Sequence, residues 1–413
     1  MMNSTERTQS RSPSHNPYRT DPAHESPAPT RLHFLDGLRG IAALFVVLHH
    51  ATFEVPRHEL KTPITRATAF LFEHGHDCVA LFIVLSGFSL MLPVVRSADG
   101  QLRGGTWDYL KRRAKRILPP YYAALLFTLA LIALVPAMRY RSGVRWDVAL
   151  PVFDTRVILS HLFLVHNFHL GMAYRIDPPM WSIATEWQIY FLFPAFLWIW
   201  RRFGISITVA AGFLTGYAVH LSSISLAYLI TAWYTGLFTI GMAVAVLTDP
   251  GQRRAERWGD RNLGLFVAGI ILVALLGPPM MRNDAFVGVA AAGLIAYCVR
   301  AASQSQGRSD RPRLLRLLES APAVQLGGLS YSLYLIHFPL LSLSHAVLRG
   351  WGLGPNTRLV LLLLVASPAC VGAAWVFSWL FERPFLTKPA RPAVAFSPTP
   401  RLQVDRQPVP EGR

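Results

Sequence analysis

Arg39 and His50, in the first apolar run of the chain, have the spacing of residues that act together. Ten residues separate them in LDGLRGIAALFVVLHHA. On a helix, eleven steps of about 100° bring both side chains within about 20° of one face, about 16 Å apart along the axis. A guanidinium can hold a phosphate group, and a neutral imidazole can take a proton from a hydroxyl. The spacing predicts proton transfer beside an anion site, and it fits equally well a flanking arginine and a hydrogen-bonded core histidine.

A second candidate is the basic cluster that precedes the third apolar run. The segment TWDYLKRRAKRILPPYY contains Arg113 and Arg116 among its basic residues, followed by Pro119 and Pro120. Proline is typical of the first turn of a helix, so the pattern predicts a loop that carries the cluster and a helix that begins near residue 118. The cluster can bind phosphate groups of a ligand, or it can anchor the helix to anionic lipid headgroups.

Two later apolar runs carry further polar and aromatic candidates. In PPMWSIATEWQIYFLFP, the Glu186 carboxylate can orient a histidine or bind sugar hydroxyls, and Trp181 can stack on a sugar ring. The alternative is a glutamate that extends to the interface within an aromatic belt. In GGLSYSLYLIHFPL, Tyr334 and His337 lie near the middle of the run. They fit a substrate site and a polar contact between helices equally well.

The elements that position these residues are predicted to be membrane helices. The chain has 413 residues, of which 52% are apolar and 15% charged, whereas about a quarter of the residues of soluble chains are charged. Many apolar runs approach the roughly 20 residues that a helix needs to cross a bilayer, and runs such as LVLLLLVA do not alternate as barrel strands do. The sequence predicts an all-α polytopic bundle of about ten transmembrane helices. They are placed near 38–54, 79–95, 118–137, 181–200, 205–222, 225–247, 262–281, 284–300, 325–347 and 358–381.

The positive-inside rule predicts the orientation of these spans. If 157–170 is a re-entrant or interfacial piece of an external loop, 138–180, the strongly basic connections fall on one side. This predicts a multi-pass protein of the inner (plasma) membrane with both termini in the cytoplasm. Residues 1–30 and 387–413 are predicted to be disordered cytoplasmic tails around one membrane domain, 31–386.

Charge and motifs exclude several classes of function. The net charge of +17 comes from residues between apolar runs rather than along one polar face, so no nucleic-acid partner is expected. The three cysteines lie far apart without a CxxC pair, which predicts packed thiols and no metal site. No phosphate-binding GxxxxGK[ST], GxGxxG, HExxH or GxSxG motif is present.

Taken together, these segments resemble the membrane acyltransferase-3 family, which includes O-acetyltransferases of bacterial surface polysaccharides and acylases of macrolides and glucans. The matching pieces are LDGLRGIAALFVVLHHA, FIVLSGFSL, the basic run into ILPPYY, WSIATEWQIYFLFP, FTIGMA, LSYSLYLIHFPL and FERPF, in the family's order. The resemblance implies that Arg39 and His50 form the family's Arg-x10-His motif, with His50 as the catalytic residue. It also implies that Arg113 and Arg116 bind the donor and that Glu186 is the acid of the Trp-Ser-x-x-x-Glu segment.

The resulting expectation is an O-acyltransferase that moves an acyl group, such as acetyl, from acyl-CoA to a hydroxyl of a saccharide or glycosylated acceptor. Acyl-CoA is a co-substrate, no permanently bound cofactor is expected, and membrane lipid surrounds the protein. The expected catalytic residues are His50 and Glu186, and the expected substrate- or donor-binding residues are Arg39, Arg113, Arg116, Trp181, Tyr334 and His337. The alternative is a transporter or flippase of a lipid-linked or anionic substrate, in which buried His and Arg residues line a proton or anion path.

Overall fold

The architecture is helical throughout the part of the chain that the structure describes. This computed structural model describes residues 32–141, 144–221, 232–249, 279–305, 307 and 309–386. Within these ranges no strand occurs, which confirms the predicted all-α class. The tails and most of the connection 248–261 lie outside the described residues.

Among the described residues, seven α-helices precede residue 180 in the chain and nine begin at or after it. The first group comprises α1 (His33–Phe53), α2 (Pro63–Leu71), α3 (Gly75–Val95), α4 (Gly105–Leu134), α5 (Pro136–Arg139), α6 (Thr155–Leu162) and α7 (Leu170–Ala173). The second group comprises α8 (Met180–Phe203), α9 (Ile205–Leu221), α10 (Tyr234–Thr248), α11 (Pro279–Gln304), α12 (Arg313–Leu318), α13 (Ala321–Gly328), α14 (Ser330–Gly350), α15 (Pro355–Leu361) and α16 (Ser367–Phe377). Two π-helical turns, Leu362–Ala366 and Ser378–Glu382, extend the last two helices into one stretch that ends at Phe385.

Six helical stretches among the described residues are long and apolar enough to cross a membrane. They are His33–Phe53, Pro63–Val95, Gly105–Leu134, Asn283–Gln304, Ser330–Gly350 and Pro355–Phe385. Two apolar segments, in α9 and α10, are shorter than that, and the predicted span 262–281 lies almost entirely outside the described residues. The protein is therefore a multi-pass helical membrane protein, and the total of ten spans stays a prediction.

The prediction that a helix begins near residue 118 was wrong. Helix α4 begins at Gly105 and continues through Pro119 and Pro120 to Leu134. Gly104, with a left-handed φ of 75°, provides the break before the helix, and the Leu, Lys, Arg and Ala residues that follow favour helix strongly enough to extend it up to the prolines. The basic cluster is consequently helical, which places Arg113 and Arg116 about one turn apart on a rigid element.

Residues 157–170 do not form a spanning helix. Helix α6 has eight residues and α7 has four, whereas a crossing needs about 20. The hydroxyls of Tyr121 and Tyr122 on α4 donate hydrogen bonds to the carbonyl oxygens of His161 and Leu162, at 2.9 and 2.7 Å. The segment is thus tied to the middle of α4, and its position as a re-entrant or interfacial piece stays a prediction.

The bundle turns apolar side chains outward and polar side chains inward. Leu134 and Leu364 are 80% and 72% exposed, and both belong to stretches long enough to span. By contrast, His337, Ser332 and Thr239 are completely buried. Lipid can cover the exposed leucines, and the polar groups must find hydrogen-bond partners inside the protein.

Helices α3 and α10 cross in backbone contact at two glycines. A Cβ on Gly87 would overlap the carbonyl oxygen of Phe238, and a Cβ on Gly241 would overlap that of Val84. Small residues allow such close approach between membrane helices, where dispersion forces and not the hydrophobic effect hold helices together.

We expect Gly87→Ala to destabilise the protein by about 1–3 kcal/mol, because the added methyl group must push the two helices apart. The measurement is thermal unfolding of the detergent-solubilised protein. Gly293→Ala, on α11 where a Cβ would meet no atom within 4 Å, is the control and should unfold at or above the wild-type temperature. Equal effects of the two substitutions would contradict this description of the crossing.

Asp177, in the connection before α8, predicts a pH dependence of stability. Its side chain is 1% exposed and neither carboxylate oxygen has a hydrogen-bond partner among the described residues. Burial raises its pKa well above the ordinary value of 3.8. The folded protein therefore binds this proton more tightly than the unfolded chain, so stability is lost as pH rises above 3.8 towards the folded-state pKa.

We expect Asp177→Asn to unfold at a higher temperature than wild type at pH 8, with the difference shrinking towards pH 4. The amide replaces the neutral carboxyl group without a charge to bury, and unfolding curves across this pH range provide the measurement. A wild-type advantage that grows with pH would show that the carboxylate is stabilised by a charge in the folded state.

Candidate active site

A cavity of about 310 Å³ lies between α1, α3, α4, α8 and α14. We call it the core cavity. Five of the residues expected from the sequence line it: Arg39, Arg113, Arg116, Glu186 and Tyr334. These residues are far apart in sequence and lie on four different helices, and the fold brings them together around one space.

Three arginines gather at one end of the core cavity. The Nη2 of Arg39 donates a hydrogen bond of 2.7 Å to Ser89 Oγ, and its Nη1 lies 3.8 Å from Asp36 Oδ1. Arg113 is half-buried, and its Nε has no hydrogen-bond partner among the described residues. Arg116 is exposed, so the cavity is accessible from outside at this end. Three guanidinium groups around one opening favour an anion with several negative oxygens.

Glu186 lies in the wall of the core cavity rather than against His50. The Tyr190 hydroxyl donates a hydrogen bond of 2.5 Å to its carboxylate. Ser86 Oγ lies 2.9 Å from the same hydroxyl and donates to it, since the tyrosine proton is used on Glu186. The expected contact between Glu186 and a histidine is not present among the described contacts of this residue.

The other end of the core cavity is closed by a serine and a tyrosine. Ser182 Oγ lies 2.7 Å from the Tyr334 hydroxyl, and it donates to the Pro179 carbonyl oxygen at 3.0 Å. Tyr334 precedes His337 by one helical turn, and the centroids of their rings are 5.7 Å apart. The cavity thus runs from the arginines to Tyr334, one helical turn before His337, and His50 does not line it.

His50 and His337 meet across the interface of α1 and α14. His50 Nδ1 lies 2.9 Å from His337 Nε2 and 3.1 Å from the Val46 carbonyl oxygen. His337 is completely buried, and the Phe338 ring packs edge-on against His50 at a centroid distance of 5.2 Å. His50 itself is partly exposed, and its Nε2 has no hydrogen-bond partner among the described residues.

Two of the expected binding residues do not line the core cavity. His337 contacts His50 instead. The Trp181 ring stacks on His76 at 6.0 Å with an interplanar angle of 20° and lies 6.1 Å from the Tyr234 ring. Trp181 is one residue before Ser182, so its backbone lies at the closed end of the cavity.

A second and larger cavity, of about 820 Å³, lies at the C-terminal end of α1. We call it the end cavity. Its lining includes His49, Glu54, Arg57, Arg145 and Arg358. The His49 ring centroid is 5.0 Å from that of His50, so His50 lies next to the wall of this cavity. Because Arg39 lies near the other end of α1, the two cavities approach the histidine from opposite directions.

Buried ions form one wall of the end cavity. The Glu54 carboxylate accepts hydrogen bonds from Ser342 and from His345 Nδ1, the latter at 3.1 Å. Arg358 donates to His345 Nε2 and to Glu59, each at 2.9 Å. The sequence did not predict this network. Glu54 follows His50 by four positions, and this spacing was the one available signal.

The arrangement as a whole can bind an anion and act on a group held about 16 Å from it along α1. Arginines mark one end of the core cavity, and an imidazole with a free ring nitrogen lies beyond the other. Among the described residues no group of three or more His, Cys, Asp or Glu side chains has the geometry of a metal site. The imidazole of His50 offers acid–base or nucleophilic chemistry.

The curated relatives of this chain are acyltransferases by name. The chain is 25% identical over 350 residues to the acyltransferase MdmB of Streptomyces mycarofaciens, an alignment that covers 78% of this chain and 82% of that protein. It is 26% identical over 339 residues to the putative peptidoglycan O-acetyltransferase YrhL of Bacillus subtilis, covering 76% of this chain and 49% of the relative. It is 25% identical over 324 residues to the putative membrane-bound transacylase BcsY of Komagataeibacter xylinus, covering 74% of this chain and 72% of the relative.

No solved structure matches the chain significantly. The model of the acyltransferase domain family, acyltransferase-3, matches residues 32–379. This range contains Arg39, His50, Arg113, Arg116 and Glu186, the residues on which the resemblance was based. The match confirms that resemblance, and the chain belongs to the acyltransferase-3 family.

Proposed function

We propose that this protein is an O-acyltransferase that takes an acyl group, such as acetyl, from acyl-CoA and transfers it to a hydroxyl of a saccharide or glycosylated acceptor. The observation that carries the proposal is a cavity lined by three arginines and by Tyr334, one turn before the histidine that contacts His50, whose Nε2 has no hydrogen-bond partner among the described residues. Coenzyme A is a polyanion with a long flexible arm that ends in the thioester. Such a donor needs a cationic site at one end and a reacting group at a distance from it.

The core cavity is the donor site in this proposal. Arg39, Arg113 and Arg116 hold the phosphates through charge-assisted hydrogen bonds. The pantetheine arm extends past Glu186 towards Tyr334, and the thioester reaches His50. Glu186, which is hydrogen bonded to Tyr190, forms part of the cavity wall along which the arm extends.

His50 is the catalytic residue in this mechanism. Its Nε2 takes the proton of the acceptor hydroxyl while that oxygen attacks the thioester carbonyl carbon. The C–O bond forms, the C–S bond breaks, and the proton passes to the leaving thiolate to give free coenzyme A. In the second route Nε2 itself attacks the thioester carbonyl carbon and the C–S bond breaks to release the thiolate. The acceptor hydroxyl then attacks the acyl carbon, the C–N bond to the imidazole breaks, and the hydroxyl proton passes to the thiolate to give free coenzyme A. Both routes need the same lone pair on the same nitrogen.

The acceptor reaches His50 from the end cavity in this proposal. A space of about 820 Å³ is in the range of cavities that hold small ligands. Its carboxylates and guanidinium groups suit hydroxyl-rich ligands, whereas Trp181, whose ring stacks on His76, does not line it. We further propose that the arginine side faces the cytoplasm, with the protein in the inner membrane and both termini cytoplasmic.

The names of the relatives support acyl transfer over the transporter alternative. An acyltransferase, a putative peptidoglycan O-acetyltransferase and a putative membrane-bound transacylase all match this chain over about three quarters of its length. A transporter or flippase would release no coenzyme A, which gives the test of the proposal.

We expect membranes that contain the protein to release free coenzyme A from acetyl-CoA and to incorporate labelled acetyl groups into glycan. His50→Ala should reduce both rates by about 1,000-fold or more, because the reacting nitrogen is lost. The measurement is thiol release together with counting of the label in the glycan fraction.

His33→Ala is the matched control for this test, since His33 lies on the same helix and is exposed. It should leave both rates unchanged. A His50→Ala protein that inserts and transfers acetyl groups normally would refute the assignment, and a wild-type protein that releases no coenzyme A would refute the proposed function.

We expect Arg113→Ala and Arg116→Ala each to raise the KM for acetyl-CoA by about 10- to 100-fold, because each removes a charged hydrogen-bond donor worth about 1.5–3 kcal/mol. Arg112→Ala serves as the control, since Arg112 is on the same helix but donates to the Arg103 carbonyl oxygen and does not line the core cavity. The measurement is steady-state kinetics with varied acetyl-CoA. A KM for acetyl-CoA that equals the wild-type value in all three variants would show that the cluster only anchors the helix to lipid headgroups.

A further inference from the structure

The partner of the proposed catalytic imidazole is another imidazole. A carboxylate was expected there, and Glu186 lies in the core cavity instead, where it accepts from Tyr190. The side chain within hydrogen-bond distance of His50 is His337, with 2.9 Å between His50 Nδ1 and His337 Nε2. His337 is completely buried whereas His50 is partly exposed, so His337 is placed to act on His50 rather than on a substrate.

The surroundings of His337 determine which of its nitrogens carries the proton. Its Nδ1 lies 2.8 Å from the Tyr334 carbonyl oxygen and 3.1 Å from that of Leu333. Carbonyl oxygens only accept hydrogen bonds, so the proton of a neutral His337 is on Nδ1. Its Nε2 then has a lone pair and accepts.

The same reasoning applies to the proton of His50. Its Nδ1 faces the lone pair of His337 Nε2 and, at 3.1 Å, the Val46 carbonyl oxygen. Both neighbours accept, so the proton of a neutral His50 is on Nδ1. The lone pair of His50 is therefore on Nε2, the nitrogen that has no partner among the described residues.

Packing holds the rings of His50 and His337 in this arrangement. Phe338 contacts His50 edge-on, with an interplanar angle of 86°, and the ring planes of the two histidines are inclined by 44°. His49, the other imidazole close to His50, contacts the Phe72 carbonyl oxygen through its own Nδ1 at 2.7 Å. It therefore does not compete for His50 Nδ1.

We propose that His337 is a positioning residue that holds His50 in the Nδ1-protonated tautomer, with the Nε2 lone pair directed away from the helix interface towards the reacting groups. The proposal rests on the proposed function, since it assigns His50 Nε2 as the reacting atom. His337 itself neither touches a substrate nor transfers a proton. Its function is to accept one hydrogen bond from a fixed place.

The test compares His337→Leu with His337→Gln in native membranes, with labelled acetyl-CoA as the probe. Leucine removes the acceptor and should lower kcat by about 10- to 100-fold, as loss of the hydrogen-bond partner does for histidines that ligate metals. Glutamine keeps an acceptor oxygen at similar reach and has no titratable group, so kcat should stay within about fivefold of wild type. The KM for acetyl-CoA should not change in either variant, because His337 does not line the core cavity.

His161→Leu is the matched control for loss of a buried imidazole. His161 is completely buried and contacts the carbonyl oxygen four residues before it, as His337 does, but it stacks on His166 instead of contacting His50. Its kcat per folded protein should equal that of wild type. Size-exclusion profiles of the solubilised variants show how much of each protein is folded.

Three results would overturn the inference. Equal losses of kcat in the Gln and Leu variants would show that the ring of His337 takes part in proton transfer. A raised KM with an unchanged kcat would show substrate binding, and unchanged kinetics in the Leu variant would show no role. The wild-type protein and His50→Ala are measured in the same series. If the proposed function is wrong, the wild-type protein will turn over no acetyl-CoA, and this result is distinct from any of the three above.

Discussion

An imidazole buried among membrane helices must satisfy its hydrogen bonds within the protein, and this requirement shapes the centre of the molecule. An unsatisfied polar group in a lipid-embedded core costs several kcal/mol. The contact between His50 and His337 meets this requirement for one nitrogen of each ring, and backbone carbonyl oxygens meet it for the second nitrogen of His337. One nitrogen remains, Nε2 of His50, and His50 is partly exposed. The nitrogen left available is the one that chemistry can use.

In the proposed mechanism, helix α1 sets the distance between the anion-binding end and the reacting imidazole. It is a single helix from His33 to Phe53, with Arg39 near its first turns and His50 in its last turn. A helix of this kind is a rigid spacer, so a ligand held at one end presents its far end to a defined place. The core cavity follows this direction from the arginines to Tyr334, and the end cavity begins beyond His49. The site therefore has two approaches, each with its own charged groups.

Charges in the bundle are arranged in two ways that reflect what each must do. Around the end cavity, Glu54, His345 and Arg358 are buried and joined by hydrogen bonds that continue to the partly exposed Glu59, so each buried charge has a partner. In the core cavity the positive charge of the three arginines exceeds the negative charge that faces it, and the cavity is open at Arg116. A hydrogen-bonded network gives a stable wall, whereas an excess of positive charge favours an anionic ligand.

The sequence by itself determined the class of the protein, the approximate positions of most helices and the chemical identity of the central residues. Apolar runs of the right length require helices in lipid, and the Arg-x10-His spacing puts both side chains on one face of a helix without reference to the rest of the fold. The sequence-based prediction of the start of α4 was wrong. Pro119 and Pro120 are typical of the first turn of a helix, whereas the helix begins after Gly104 with residues that strongly favour helix. Tertiary structure alone decided the partners: His337 rather than Glu186 beside His50, Tyr190 beside Glu186, and His345 beside Glu54. Contacts between His50 and His337 join positions 287 residues apart, and periodicity within one helix carries no information about which face of a distant helix packs against it.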